Sequence, residues 1–361
     1  MTHATRVPTT ITDLTPAWMT STLRTTGAIA ADCQVSTVEA QVIAEGVGFL
    51  SNLYRLNLTL TGPGPATLVA KLPATTDYLQ LATAVGAYER EIAFYSAVSP
   101  HCPIRTPKAY AADIASETGD FILLLEDLGH LENGNHLAGL EFDRAEAVID
   151  ELVRLHAWAW NLDAAPARQP AFVSIDSPVS VGMFTMAISA GWSAYLPNAR
   201  VDIPSGLAEI IEGWAERLPM MMSTLKHPTT LINGDLRVDN LFFDAAERPT
   251  TVDFQLVMHG SGIWDVAYLI GQGMSPAQRD GQERELVRRY VEGLQAKGID
   301  YHFDQAWQQF RTAVVAQITM PLSAGMAWAT LNDRAKELLH TLNERAFAII
   351  ADTDAIASLP G

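Results

Sequence analysis

The chain has 361 residues, 48% of them hydrophobic and 18% charged, which is enough apolar material for a large core and excludes a disordered or fibrous polymer. Acidic residues outnumber basic ones 41 to 24, a formal net charge of -17, so the expected partners are neutral or cationic, with no nucleic acid and no anionic membrane among them. Cys33 and Cys102 are the only cysteines; they provide neither a disulfide framework nor a thiolate zinc site and fit a reducing, cytoplasmic setting.

In chain order, Thr15-Pro16 before Trp18, Met19 and Leu23 predicts a short leading helix, with Thr15 as N-cap and Pro16 in the first helical position. The polar N-terminus carries no apolar stretch of the kind a secretory signal needs. From Val42 to Lys71 the pattern becomes strand-like, with leucines recurring through Leu53-Tyr54-Arg55-Leu56-Asn57-Leu58-Thr59-Leu60. The turn 61–65, rich in glycine and proline, then leads to a second strand over 67–72, making a hairpin. Tyr88 to Tyr95 reads as helix, and Phe121 to Leu125 as a buried strand. Beyond Leu128 the pattern is mainly helical, as in Ala145 to Trp160, interrupted by two β-like runs, 230–232 and 249–254, that frame a polar loop. The uncharged stretches 177–199 and 312–332 contain Pro, Gly, Ser and Thr; they predict buried helices rather than membrane spans.

That polar loop carries the chemistry. It reads Asn233-Gly234-Asp235-Leu236-Arg237-Val238-Asp239-Asn240, and Asp253-Phe254-Gln255 follows, placed by the pattern on the next strand. Asp235 and Asn240 have the D-x-x-x-x-N spacing of a phosphoryl-transfer loop. Such chemistry requires a carboxylate to orient the attacking hydroxyl and accept its proton, a role that suits Asp235. It also requires oxygen ligands for Mg²⁺ on the ATP phosphates, which Asn240 and Asp253 would supply. Taken alone, the loop is equally an Asx-rich turn between strands. Upstream, Gly46-Val47-Gly48 with Ser51 forms a turn able to present N–H groups to phosphates, and Val69-Ala70-Lys71 ends the second strand. Glu91 on the following helix is spaced to pair with Lys71, Glu89 being its substitute. The ordered set decides for a phosphotransferase over a series of solvated surface charges.

This set resembles the aminoglycoside and choline kinase superfamily, and within it the ecdysteroid kinase-like branch. The residues that carry the likeness are 124–128 (Leu-Leu-Glu-Asp-Leu), Leu155-His156-Ala157, Asn233 to Asn240, Asp253-Phe254-Gln255 and 262–269 (Gly-Ile-Trp-Asp-Val-Ala-Tyr-Leu). The resemblance implies an α+β, bilobal protein kinase-like fold. Its β-rich N-terminal lobe would cover 1–127, with the leading helix and the glycine-rich hairpin. Its mainly helical C-terminal lobe would cover 128–361, with the catalytic loop and the acceptor site. It further implies ATP and Mg²⁺, an adenine-receiving hinge at Glu126 to Leu128, and Asp265 as a brace for the catalytic loop.

Three departures from the family pattern stand out. Asn233 replaces the usual histidine, Ser51 stands where the phosphate loop would have a third glycine, and Arg237 lies two residues beyond Asp235. For Arg237 two readings remain open, contact with the γ-phosphate or a surface pair with Asp239. The acceptor is a small-molecule hydroxyl, for which the branch implies a bulky, sterol-like alcohol; the alternatives are an aminoglycoside or choline-type acceptor, or a nucleotide-binding pseudokinase that regulates a partner. The segment 172–222 is rich in Met, Trp and Phe and is read chiefly as packing, with an apolar acceptor cleft as the other reading. His101, His130, His136, His156 and His259 lack metal-ligand spacing. His156, on an apolar helical face, is read as a satisfied core histidine.

Overall fold

The computed structural model describes residues 7–43, 51–73, 86–115, 117–186 and 188–359. The chain divides into two compact units, Met1–His101 with Thr106–Leu131, and Cys102–Arg105 with Glu132–Gly361.

In the first unit, helix α1 (Pro16–Thr25) starts where Thr15 Oγ1 accepts the Trp18 N–H. Five antiparallel strands follow: β1 (Val35–Ile43), β2 (Ser51–Leu60), β3 (Thr67–Pro73), β4 (Ala109–Ile114) and β5 (Phe121–Glu126), in the order β1-β2-β3-β5-β4. Strand alternation sends Leu56, Leu58, Leu68, Ala70, Leu72, Ile122 and Leu124 to one face, where Met19 and Leu23 of α1 cover them. Lys71 has the opposite parity on β3. Helix α2 (Ala87–Ala93) continues into a π-helical turn, Phe94–Val98.

In the second unit, the two-residue strand β6 (Glu132–Asn133) precedes helix α3 (Phe142–Trp158). Helices α4 (Pro178–Thr185), α5 (Ile188–Tyr195) and α6 (Trp214–Thr224) lead to the strands β7 (Thr230–Ile232), β8 (Leu241–Phe243), β9 (Pro249–Thr251) and β10 (Met258–Gly260). Helices α7 (Ile263–Gly271), α8 (Glu283–Gln295), α9 (Phe303–Ala316) and α10 (Asp333–Asp352) complete it. The two β-like runs around the polar loop do not pair with each other: β7 pairs with β10, while β8 pairs with both β6 and β9. Residues 102–105 join this unit because the Thr251 N–H donates to the Arg105 carbonyl (3.0 Å) and Arg105 pairs with Asp244 (2.8 Å).

Helix α7 is buried on every side, Asp265 included. An all-buried helix carrying one carboxylate must find partners for it, since a naked charge in an apolar core costs several kcal/mol. Those partners are the backbone of the polar loop.

The stretch 177–199 departs from the buried helix read in the sequence. Among the described residues one helical stretch, Pro178–Asn198, is long and apolar enough to cross a membrane, and most of it is not buried. The backbone leaves helical geometry at Met186 (φ -60°, ψ 131°). Each eight-residue piece therefore reaches only about 12 Å, well short of a hydrocarbon core of about 30 Å.

Candidate active site

In the first unit the Lys71 ammonium lies 2.8 Å from both carboxylate oxygens of Glu91, and both side chains are buried. The lysine is held by the helix α2 carboxylate one turn-face removed from Glu89, which sits in the helix's first turn. Removing one partner of a buried pair strands the other charge. Glu91→Ala should therefore destabilise the protein by about 3 kcal/mol and weaken nucleotide binding, as read by thermal melting and nucleotide titration; an unchanged melting curve would refute the pair's structural weight.

Ser51 is the first residue of β2, opposite Pro73 in the register, rather than part of the turn. Gly46 and Gly48 lie outside the described residues. At the end of β5 the Glu126 carboxylate accepts the Lys108 N–H (3.2 Å), and the Leu128 side chain is buried. Between them Asp127 takes a two-pronged grip from Arg55 (2.8 and 3.2 Å) and accepts the Gly129 N–H (2.9 Å). Burial alone would raise the Asp127 pKa, but the Arg55 and Gly129 donors hold it below the usual carboxylate range. A fixed Asp127 fixes the backbone on either side of it.

In the second unit, Asp265 receives the N–H groups of Asn233 (2.7 Å) and Gly234 (3.0 Å), and the Trp264 indole donates to the Gly234 carbonyl (3.1 Å). Gly234 adopts φ +87°, and a Cβ there would meet the Leu256 carbonyl at 2.3 Å, so only glycine fits. Behind Asp265 stands His156, fully buried. Its Nε2 is 3.3 Å from Asp265 Oδ2, and its Nδ1 is 2.9 Å from the Tyr290 hydroxyl. His156 is a satisfied core histidine, and it is also joined to the brace.

Asn233, standing in the family's histidine position, bridges the two acidic segments: its Nδ2 donates to the Asp253 carbonyl (3.0 Å) and its Oδ1 accepts the Asp235 N–H (3.0 Å). The histidine's substitution thus leaves the loop tied at both ends. The Asn240 amide donates to the Asp235 carbonyl (3.0 Å), which turns its Oδ1 away, with no hydrogen bond to a described residue. Asp253 is not on a strand as the pattern suggested. Strand β9 ends at Thr251, and Asp253 follows in the left-handed region at φ +61°, a conformation that costs on the order of 1 kcal/mol and clusters at functional sites.

Asp235 is mostly buried, and its Oδ1 makes no hydrogen bond of good geometry. Burial pushes its pKa up; Arg237 and a hydrogen bond from Tyr268 oppose this, while Asp253 and Asp239 add to it. Arg237 faces Asp235 at 3.6 Å, so of its two sequence readings the pair with Asp239 gives way to a pair with Asp235, and the γ-phosphate contact stays an expectation. The phenol of Tyr268, a buried α7 residue inside the 262–269 segment but given no role in the sequence reading, is pushed well above its usual range by burial and by Asp235. Nothing in the apolar run 266–271 singles it out locally. Among the described residues no group of three or more His, Cys, Asp or Glu is placed to hold a metal.

Of the segment 172–222, Phe172, Phe184, Tyr195, Trp214, Met221 and Met222 are core residues, whereas Met186 is 50% and Met220 38% exposed. Packing is therefore the role of most, though not all, of this apolar set.

Solved structures share the fold. An aminoglycoside 2'-phosphotransferase-IIIa variant in complex with GDP superposes with a TM-score of 0.56 at 15% identity, covering 94% of this chain and 99% of its own. Choline kinase from Cryptosporidium parvum gives 0.54 at 11% identity, covering 95% and 94%. A Ralstonia eutropha protein assigned to the aminoglycoside phosphotransferases gives 0.53 at 15%, covering 95% and 99%. At these identities the likeness establishes the α+β, protein kinase-like fold. No curated protein sequence matches the chain significantly. A model of the ecdysteroid kinase-like family, however, matches residues 45–301, and with Lys71, Asp235, Asn240 and Asp253 all inside that span, the chain belongs to the ecdysteroid kinase-like family and is a small-molecule phosphotransferase acting on a hydroxyl group.

Proposed function

We propose that the protein transfers the γ-phosphoryl group of ATP to a hydroxyl of a bulky, sterol-like alcohol. The observation that carries the reading is the loop itself: Asp235 keeps a buried carboxylate oxygen with no hydrogen bond of good geometry, beside the Tyr268 hydroxyl, while Asn233 and Asn240 fix the backbone around it. Such an oxygen requires a donor to complete it, and an acceptor hydroxyl is one. The O–P bond to the acceptor forms as the bond to the ADP oxygen breaks, and Asp235 takes the hydroxyl proton. Because the transition state is loose, positioning and charge stabilisation do most of the work.

In the first unit Lys71, held by Glu91, grips the α- and β-phosphates. Gly46 and Gly48 supply the phosphate loop, Ser51 begins the strand that follows it, and the backbone at Glu126 and Leu128 receives the adenine. In the second unit Asn240 Oδ1 and the Asp253 carboxylate are hard oxygen donors of the kind Mg²⁺ takes alongside phosphates, and they would hold it. When bound, the ion neutralises charge on the phosphates. Arg237 exchanges Asp235 for the γ-phosphate, and Arg237→Ala should lower kcat about 100-fold with little change in nucleotide affinity; unchanged turnover would remove Arg237 from this role.

The family match supports the sterol-like acceptor. The test is a mass-spectrometric screen of Mg-ATP with pooled steroid alcohols, choline and aminoglycosides, using Asp253→Ala as the blank. Phosphorylated steroid alcohols absent from the blank are the expected result. Products confined to aminoglycosides would overturn the acceptor class. Nucleotide binding without any product would favour a pseudokinase.

A further inference from the structure

The second unit contains a second brace on the catalytic loop. The segment 132–140 runs against the loop's outgoing half, which carries Asn240. Asn133 pairs with Phe242 in the β6–β8 ladder, and its Nδ2 donates to the carbonyls of Asp239 (2.9 Å) and Leu241 (3.3 Å). The His136 N–H donates to Asp239 Oδ1 (2.9 Å), and His136 Nδ1 accepts the Val238 N–H (3.1 Å). A Cβ on Gly134 would meet the Val238 carbonyl at 2.2 Å, so the two backbones touch. From the far end of the chain the buried Arg345 of α10 donates to the carbonyls of His136 (2.7 Å), Gln272 (3.1 Å) and Leu137 (3.1 Å). Residues 133 and 136 thus supply partners to Val238, Asp239 and Leu241, and Asn240 itself is left with its amide turned to Asp235.

We infer that the 132–140 strap is the positioning device for the Asn240 amide and that His136 is its central positioning residue, with Arg345 locking the strap to α10. The inference rests on the proposed role of Asn240 at the metal–phosphate site. A backbone N–H can only donate, so Nδ1 of His136 must be the acceptor and the ring proton sits on Nε2. Burial, with Arg345 and Arg237 nearby, holds the ring well below the ordinary histidine range, which preserves that acceptor at neutral pH. Asp265 fixes where the loop enters, at Asn233 and Gly234; the strap fixes where it leaves. Partners that orient a metal ligand without touching the metal are commonly worth 10- to 100-fold in metal affinity.

The experiment compares wild type, His136→Leu, His136→Asn and Asn133→Ala. Asparagine returns an acceptor near the position of Nδ1, whereas leucine fills the space without one. Two quantities are read: amide hydrogen exchange of the 236–243 segment in nucleotide-free protein, and the affinity for Mn²⁺ in the presence of a non-hydrolysable ATP analogue. We expect His136→Leu to speed exchange at Val238 and to weaken Mn²⁺ binding about 10-fold. His136→Asn should stay within about 3-fold of wild type, as a restored acceptor implies. Asn133 is exposed, so Asn133→Ala keeps the test available if His136→Leu does not fold, and it should show the same pairing of effects at smaller size. Faster exchange with unchanged Mn²⁺ affinity would overturn the positioning role alone. Wild-type protein that binds no Mn²⁺-nucleotide would overturn the proposed function, and this inference with it.

Discussion

Asp235→Asn should lower phosphoryl transfer by about 10³- to 10⁴-fold while nucleotide affinity stays within a few-fold of wild type. The substitution is isosteric and keeps the backbone contacts of residue 235 with Asn233 and Asn240, so the loop has no reason to move. What it removes is the ability to take a proton and the charge that orients the donor hydroxyl. The neighbouring Arg237 then loses its partner at 3.6 Å and becomes free for phosphate, which can only help nucleotide binding. Single-turnover phosphorylation measured beside calorimetric nucleotide titration separates the two effects. Turnover above about a tenth of wild type would remove Asp235 from the proton-accepting role, since general-base catalysis is worth at least about 10²-fold.

Asp265→Ala is expected to be the most damaging single change to stability outside the apolar core. It deletes the acceptor of two buried N–H groups, at 2.7 and 3.0 Å, and leaves His156 facing an empty space. Hydrogen bonds to charged groups are worth about 1.5–3 kcal/mol each, so a loss of about 4 kcal/mol follows, a fall of roughly 10 °C in melting temperature for a unit of this size. Asp265→Asn should fall between, because one carboxamide oxygen still accepts while its NH₂ faces the other N–H. Thermal melts of the three proteins check the order. If Asp265→Ala melts within about 2 °C of wild type, an effect under about 1 kcal/mol, the brace carries no weight.

Much of this was legible in the residues because it is local. The Thr15-Pro16 start of α1 and the alternating leucines of β2 obey short-range rules, and the D-x-x-x-x-N spacing places Asp235 and Asn240 within one turn of chain. What was missed is long-range. The runs 230–232 and 249–254 read as a frame for the loop, but which strands the resulting 230–232 and 249–251 pair with, 258–260 and 241–243, is encoded by no periodicity. Asp253 looks like a strand residue because Val252 and Phe254 flank it; in the fold it sits in a left-handed turn whose carbonyl is tied to Asn233. His136 and Arg345 carry no motif at all, since their roles come from backbone carbonyls and N–H groups, which every residue has. The apolar set in 172–222 could not be divided between core and surface by composition, because methionine suits both.

The bridge made by Asn233 has a consequence for acid tolerance. A histidine in that place would gain a proton near pH 6.5 and would then have to surrender one of its two contacts, since both ring nitrogens would become donors. The asparagine amide keeps one donor and one acceptor across the whole physiological range, so the tie between the Asp235 and Asp253 segments stays the same in a mildly acidic environment as in a neutral one.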